Sequence, residues 1–143
     1  MRLATDDYIQ VYSGAKFYVT RPDPEDITLE DIAHSLSMQC RYNGHCSDFY
    51  SVAEHSVLVA NWVRAKTKNK RLALEALLHD ASEAYLCDVP RPIKPHLDPQ
   101  YGDLEKDIEK AVARKFNLTL PWNEFTKEAD VRICLDEYSM LFE

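Results

Sequence analysis

The feature that most restricts this chain is an ionisable pair set in apolar sequence. His79-Asp80 lies inside Leu74-Glu75-Ala76-Leu77-Leu78-His79-Asp80-Ala81-Ser82-Glu83-Ala84-Tyr85-Leu86. The apolar residues recur at helical spacing, which predicts a largely buried helix over about residues 71–86. Burying an imidazole and a carboxylate, with a second carboxylate one turn on, is costly unless something pairs them. A divalent metal ion is the partner that offsets this most directly. The pair therefore asks for a fold that brings further ligands to the same place.

The surrounding punctuation supplies helices to do so. Three glycines in 143 residues and no sustained period-2 alternation argue for helix over sheet. Residues 8–20 are the exception, where aromatic and β-branched segments 9–12 and 16–19 flank Ser13-Gly14-Ala15 and predict a short hairpin. Arg21-Pro22-Asp23-Pro24 makes a rigid loop, and Thr28 caps a helix to about Met38. The loop 40–46 leads to Ser51-Val52-Ala53-Glu54, a capping box that starts a helix to about Lys66 with His55 in its first turn. Pro90, Pro92 and Pro95 make 88–95 an extended loop. Asp98-Pro99 starts a helix to about Phe116, with Asn117 at its end, and a last helix from about Lys127 to Phe142 contains Asp130. The expectation is one mainly α domain over residues 1–143, a helical bundle with a small N-terminal β-hairpin.

Bulk properties narrow the partners. A net charge of −7 leaves no basic face for a long nucleic acid but tolerates a small phosphorylated ligand. The opening residues Met1-Arg2-Leu3-Ala4-Thr5-Asp6-Asp7 lack the apolar core of a signal peptide, and no apolar run reaches the ~20 residues of a membrane span. Cys40, Cys46, Cys87 and Cys134 have neither C-x-x-C spacing nor disulfide-scaffold density, so reduced thiols in a cytoplasmic protein are expected.

His55, His79, Asp80 and Asp130 together form a nitrogen/oxygen donor set suited to Zn, Mn, Co or Fe more than to Ca. Taken singly, His55 reads better as a cap-region or surface residue and Asp130 as a solvated first-turn acid. Adjacent helix residues point about 100° apart, so His79 and Asp80 would meet one ion from two sides only if other helices close around it. Glu83 follows His79 by four and Asp80 by three, on the same helix face. A carboxylate there could orient a water whose pKa an ion has lowered. The competing reading of Glu83 is a surface ion pair with Arg91 or Lys94.

The blocks Val52-Ala53-Glu54-His55-Ser56, Leu78-His79-Asp80-Ala81-Ser82-Glu83, Asp88-Val89-Pro90-Arg91-Pro92 and Glu128-Ala129-Asp130 occur in that order. The chain thereby strongly resembles the HD-domain metal-dependent phosphohydrolases, especially their 5′-deoxynucleotidase-like branch, from about Arg41 to Asp130. The resemblance implies that His55, His79, Asp80 and Asp130 are metal ligands, with Co, Mn or Zn the expected ions and Mg or Fe alternatives. It implies that Glu83 positions or deprotonates the attacking water and that Asp88 helps protonate the leaving oxygen. Arg41 stands where the branch holds phosphate, and Tyr42 where the deoxynucleotidases set a tryptophan against the sugar. His45, Lys94 and Pro92 are further substrate-binding candidates on the neighbouring loops, with Tyr85 a second wall for a base.

Two enzymatic outcomes fit these residues: release of phosphate from a deoxynucleoside 5′-monophosphate, or of triphosphate from a dNTP such as dATP, as compact phage relatives do. A non-catalytic, metal-dependent nucleotide sensor is the alternative, and Glu83 with Asp88 argue against it. By resemblance the protein is a homo-oligomer in a bacterial or phage-infected cytoplasm. With Glu143 as the end, little chain follows Asp130, which predicts that a neighbouring subunit covers the site.

Overall fold

A computed structural model describes residues 8–142. The opening residues 1–7, read above as lacking a signal peptide, and Glu143 lie outside the described residues. The described chain is mainly helical with one small antiparallel hairpin. Strands β1 (Tyr8–Gln10) and β2 (Lys16–Tyr18) pair in the register Ile9 opposite Phe17. Gly14 takes φ +92° in the connecting turn, a conformation that suits a residue without Cβ.

Seven helices follow among the described residues: α1 (Leu29–Ser37), α2 (Val52–Thr67), α3 (Lys70–Leu77), α4 (Glu83–Leu86), α5 (Lys94–Leu97), α6 (Gln100–Lys115) and α7 (Glu124–Leu141). Their starts follow local chemistry. Thr28, Ser51, Asn69 and Asn123 each accept a hydrogen bond from a first-turn backbone N–H of α1, α2, α3 and α7. Asn123 therefore starts the last helix three residues before the expected Lys127, and Asp130 falls in its second turn. Lys94–Leu97 forms one helical turn that overlaps the end of the segment 88–95 expected to be extended, with Pro95 in its first turn where proline is tolerated.

Helix α2 buries Val52, His55, Ser56, Val59 and Val63, an i, i+3, i+4, i+7, i+11 stripe. Helix α7 answers with Thr126, Ala129 and Glu137, and the two close on Val59, Val63, Ala76 and Ala129. A larger core joins Phe17, Ile27, Ile32, Leu36, Val52, Leu78, Ala81, Tyr85, Ile108 and Val112. The hairpin is tied into it by Phe17, fully buried and stacked on Tyr85 at 3.9 Å. Tyr85 is thus a core residue rather than a wall for a base.

The main departure from expectation concerns the His-Asp pair. The helix expected over residues 71–86 is broken: α3 ends at Leu77, residues 78–82 turn, and α4 starts at Glu83. The His79 ring explains where it breaks. Its Nδ1 lies 2.6 Å from the carbonyl of Ala76, the acceptor that an unbroken helix would give to the Asp80 N–H. Tighter bonds take over, from Ala81 N to Leu78 O (3.0 Å) and from Glu83 N to Asp80 O (2.9 Å). Leu78 and Ala81 remain buried through the turn.

Candidate active site

Three segments meet at the site. His55 comes from the first turn of α2, His79 and Asp80 from the turn after α3, and Asp130 from α7. The His55 Nε2 lies 2.8 Å from Asp130 Oδ1 and 3.8 Å from Asp80 Oδ2. The His79 Nε2 lies 3.2 Å from Asp80 Oδ2 and 3.7 Å from Asp130 Oδ1. Ligand atoms of His55, His79 and Asp130 all fall within 4.8 Å of one another. Because 78–82 is a turn, His79 and Asp80 reach one space without the 100° separation that a helix would impose.

This donor set fits a divalent ion. His79 Nε2 is buried with no hydrogen-bond partner, since Asp80 is close but out of line. Both rings are oriented from behind. His79 Nδ1 donates to Ala76 O, and His55 Nδ1 lies 2.9 and 3.1 Å from the two Glu137 carboxylate oxygens. That arrangement puts the proton on Nδ1 and leaves each Nε2 lone pair facing the cluster, as metal-binding imidazoles require.

Glu137 is the functional-site residue the sequence reading missed. It is 3% exposed and also receives the Tyr42 hydroxyl (3.1 Å) and Arg41 Nη2 (3.2 Å). The available signal was periodicity: Glu137 lies two turns beyond Asp130 on the same face of α7. Cys134, between them, accepts a hydrogen bond from Arg41 Nη2 at 3.4 Å.

A cavity of about 430 Å³ opens beside the cluster, lined by Arg41, Tyr42, Asp80, Glu83, Asp88, Pro92, Lys94 and Asp130, among others. Glu83 is buried, with Oε2 unpartnered, and no surface ion pair to Arg91 or Lys94 forms; Lys94 reaches Glu105 instead at 3.4 Å. Tyr42 adopts φ +57°, a left-handed conformation uncommon for a bulky residue, with its ring edge-on to Tyr138 and Phe142. His45 is exposed and does not line the cavity.

Electrostatics divide the acids into two groups. Burial works against the charge on His55 and His79, but the adjoining carboxylates outweigh it and hold both rings above their ordinary value. Burial likewise pushes against Asp80 and Asp130, and the two imidazoles hold both below the usual carboxylate range. For Glu83 and Asp88 burial and neighbouring carboxylates outweigh the nearby cations. Burial and the charges of Asp80 and Asp88 push Glu83 up to about 10. Burial raises Asp88 too, reinforced by Asp80 and opposed by Arg41.

The family model of YfbR-like 5′-deoxynucleotidases matches residues 36–138, more than half of the chain. The chain belongs to the YfbR-like family. It is 41% identical over 124 residues to the uncharacterised protein YfdR of Escherichia coli K12, covering 87% of this chain and 66% of that protein. An uncharacterised protein of Rhodobacter capsulatus is 41% identical over 113 residues, covering 76% and 58%. A Yersinia pestis 5′-deoxynucleotidase is 37% identical over 99 residues, covering 62% and 48%. The chain thus spans from about half to just under two-thirds of the length of these relatives.

Proposed function

We propose that this protein is a metal-dependent phosphohydrolase that releases inorganic phosphate from deoxynucleoside 5′-monophosphates. The observation that carries the reading is Glu83: a buried, unpartnered carboxylate opening on the same cavity as a two-imidazole, two-carboxylate donor set and a buried arginine. A divalent ion held by His55, His79, Asp80 and Asp130 would polarise the phosphoryl group, lower the pKa of the attacking water and offset the carboxylate repulsion that raises Glu83.

The chain's own residues do the rest. Glu83 orients the water and accepts its proton as oxygen adds to phosphorus. Arg41, held by Glu137 and Cys134, aims its guanidinium at the phosphoryl oxygens where negative charge builds. As the bond from phosphorus to the 5′ oxygen breaks, Asp88 supplies the proton to that oxygen, a role suited to a carboxyl whose pKa is raised. Tyr42 and Pro92 offer apolar walls to the nucleoside, and Lys94 adds positive charge at the rim. The Yersinia pestis relative is a 5′-deoxynucleotidase by name, in agreement with this substrate class.

A second reading rests on the count of cations. Arg41, Arg91 and Lys94 all line the cavity, which gives more positive charge than one phosphate needs and favours release of triphosphate from a dNTP. Anion-exchange analysis of products from dAMP and dATP, with Mn or Co present, decides between them. Deoxyadenosine and phosphate from dAMP support the first reading, and deoxyadenosine with intact triphosphate from dATP supports the second. No turnover of either compound or of other nucleotides leaves binding alone and refutes both.

A further inference from the structure

We infer that Gln39 is a positioning residue that fixes the proposed catalytic acids Glu83 and Asp88 relative to each other. The inference rests on the functional reading above. Gln39 follows α1, is half-buried, and does not line the cavity, so it touches neither substrate nor ion. Its side-chain amide makes two opposite bonds. Nε2 donates to the carbonyl of Glu83 at 2.9 Å, and Oε1 accepts from the N–H of Asp88, also at 2.9 Å. Nε2 additionally lies 3.2 Å from Ser35 Oγ, which itself donates to Ala84 O at 2.9 Å.

The need for such a latch lies between the two acids. Cys87 sits at φ 91°, ψ 159°, a backbone region that side-chain-bearing residues rarely occupy and that persists only where surrounding contacts impose it. The imposing contacts are visible: Cys87 N donates to Glu83 O, Tyr101 Oη donates to Cys87 O at 3.1 Å, and Gln39 holds Asp88 N–H immediately beyond. Of these, the Gln39 amide alone joins both acids' backbones through one side chain. A donor and an acceptor on a single planar group are required, which an amide has and a carboxylate or thioether lacks. Gln39 is also anchored at its own backbone, where its carbonyl accepts from Val52 N (3.0 Å) at the start of α2, the helix that carries His55.

The test measures steady-state kinetics of Gln39→Met and Gln39→Glu on the preferred nucleotide, with circular dichroism confirming the fold. Releasing the latch by about 1 Å is expected to cost Gln39→Met on the order of 100-fold in kcat. KM should stay within about twofold, because Arg41, Tyr42 and Pro92 are untouched. Gln39→Glu keeps the acceptor for Asp88 and should fall between, and it supplies the comparison if the methionine variant melts below assay temperature. The decisive readout is a cycle with Asp88→Asn. If Gln39 fixes the two acids together, Gln39→Met costs at least about threefold less once Asp88 is already disabled than in the wild type, the remainder reflecting Glu83. Wild-type-like kcat in both Gln39 variants, or an undiminished loss in the Asp88→Asn background, overturns the inference while leaving the phosphohydrolase reading intact. A wild-type protein inactive on every nucleotide removes that reading, and this one with it.

Discussion

Replacing Glu137 with glutamine keeps its shape and removes its charge. In the native protein one Glu137 oxygen meets Arg41 Nη2 at 3.2 Å, the Tyr42 hydroxyl at 3.1 Å and His55 Nδ1 at 2.9 Å, with Glu137 and His55 buried and Tyr42 half-buried. At an effective dielectric of about 20, two unit charges at that Arg41 distance attract by roughly 5 kcal/mol before desolvation is subtracted. Breaking a buried pair by removing one charge costs about 3–5 kcal/mol, and the amide oxygen still accepts one bond, which places Glu137→Gln near the lower end. For a chain of this size about 3 kcal/mol corresponds to a fall in Tm of roughly 6–12 °C. Calorimetry of EDTA-treated protein at pH 7 measures that, and titration with Co should show a 10–100-fold weaker site, the usual cost of losing a partner behind a ligating imidazole. Glu128→Gln is the control, because its bond to Lys66 is 39–43% exposed and should contribute less than about 1 kcal/mol. A Glu137→Gln protein that melts with the wild type and binds Co equally well would refute the assignment of Glu137 as the group that orients His55 and Arg41.

Three further outcomes are expected. In EDTA-treated protein, His55 and His79, held above their ordinary value of 6.5, contribute stability that is full below that value and lost as pH rises through their raised values. Asp80 and Asp130, held below 3.8, contribute stability that is full above it and lost as pH falls, so urea midpoints should peak between about pH 4 and 6.5; midpoints rising steadily to pH 9 would contradict this. Glu83→Gln should abolish turnover yet raise the stability of EDTA-treated protein at pH 7.5 by more than about 1 kcal/mol, because the native carboxyl, pushed up to about 10, opposes ionisation in the fold; a lower Tm in that variant counts against the buried-acid account. Phe17→Ala, which empties a fully buried ring site against Tyr85, should cost about 3–5 kcal/mol by urea denaturation, and a loss below 1 kcal/mol would mean the hairpin does not hold the core.

Much of the architecture was legible in the chain because local chemistry announces it. Ser51 and Thr28 mark helix starts through oxygens that reach the first-turn N–H groups, and Gly14 marks the hairpin turn. The order of the motifs, through their resemblance to a known family, grouped His55, His79, Asp80 and Asp130 as one donor set, whereas His55 and Asp130 taken singly read as ordinary cap-region and first-turn residues. The break at residues 78–82 was not legible. Asp80 and Ser82 give only a weak signal against helix there, and the outcome depends on the His79 ring winning the Ala76 carbonyl.

Sequence by itself therefore determined which residue types could form a site and where several helices start, because periodicity and capping act over a few residues. Only the tertiary structure decided how they meet. It brought Glu137 behind His55, placed Gln39 across Glu83 and Asp88, and packed Tyr85 into the core rather than the cavity. Those contacts join residues 44–82 positions apart, or stack one ring on another from a distant hairpin. Their energies come from burial and from pairing polar groups that cannot reach water, and neither exists until the chain has closed.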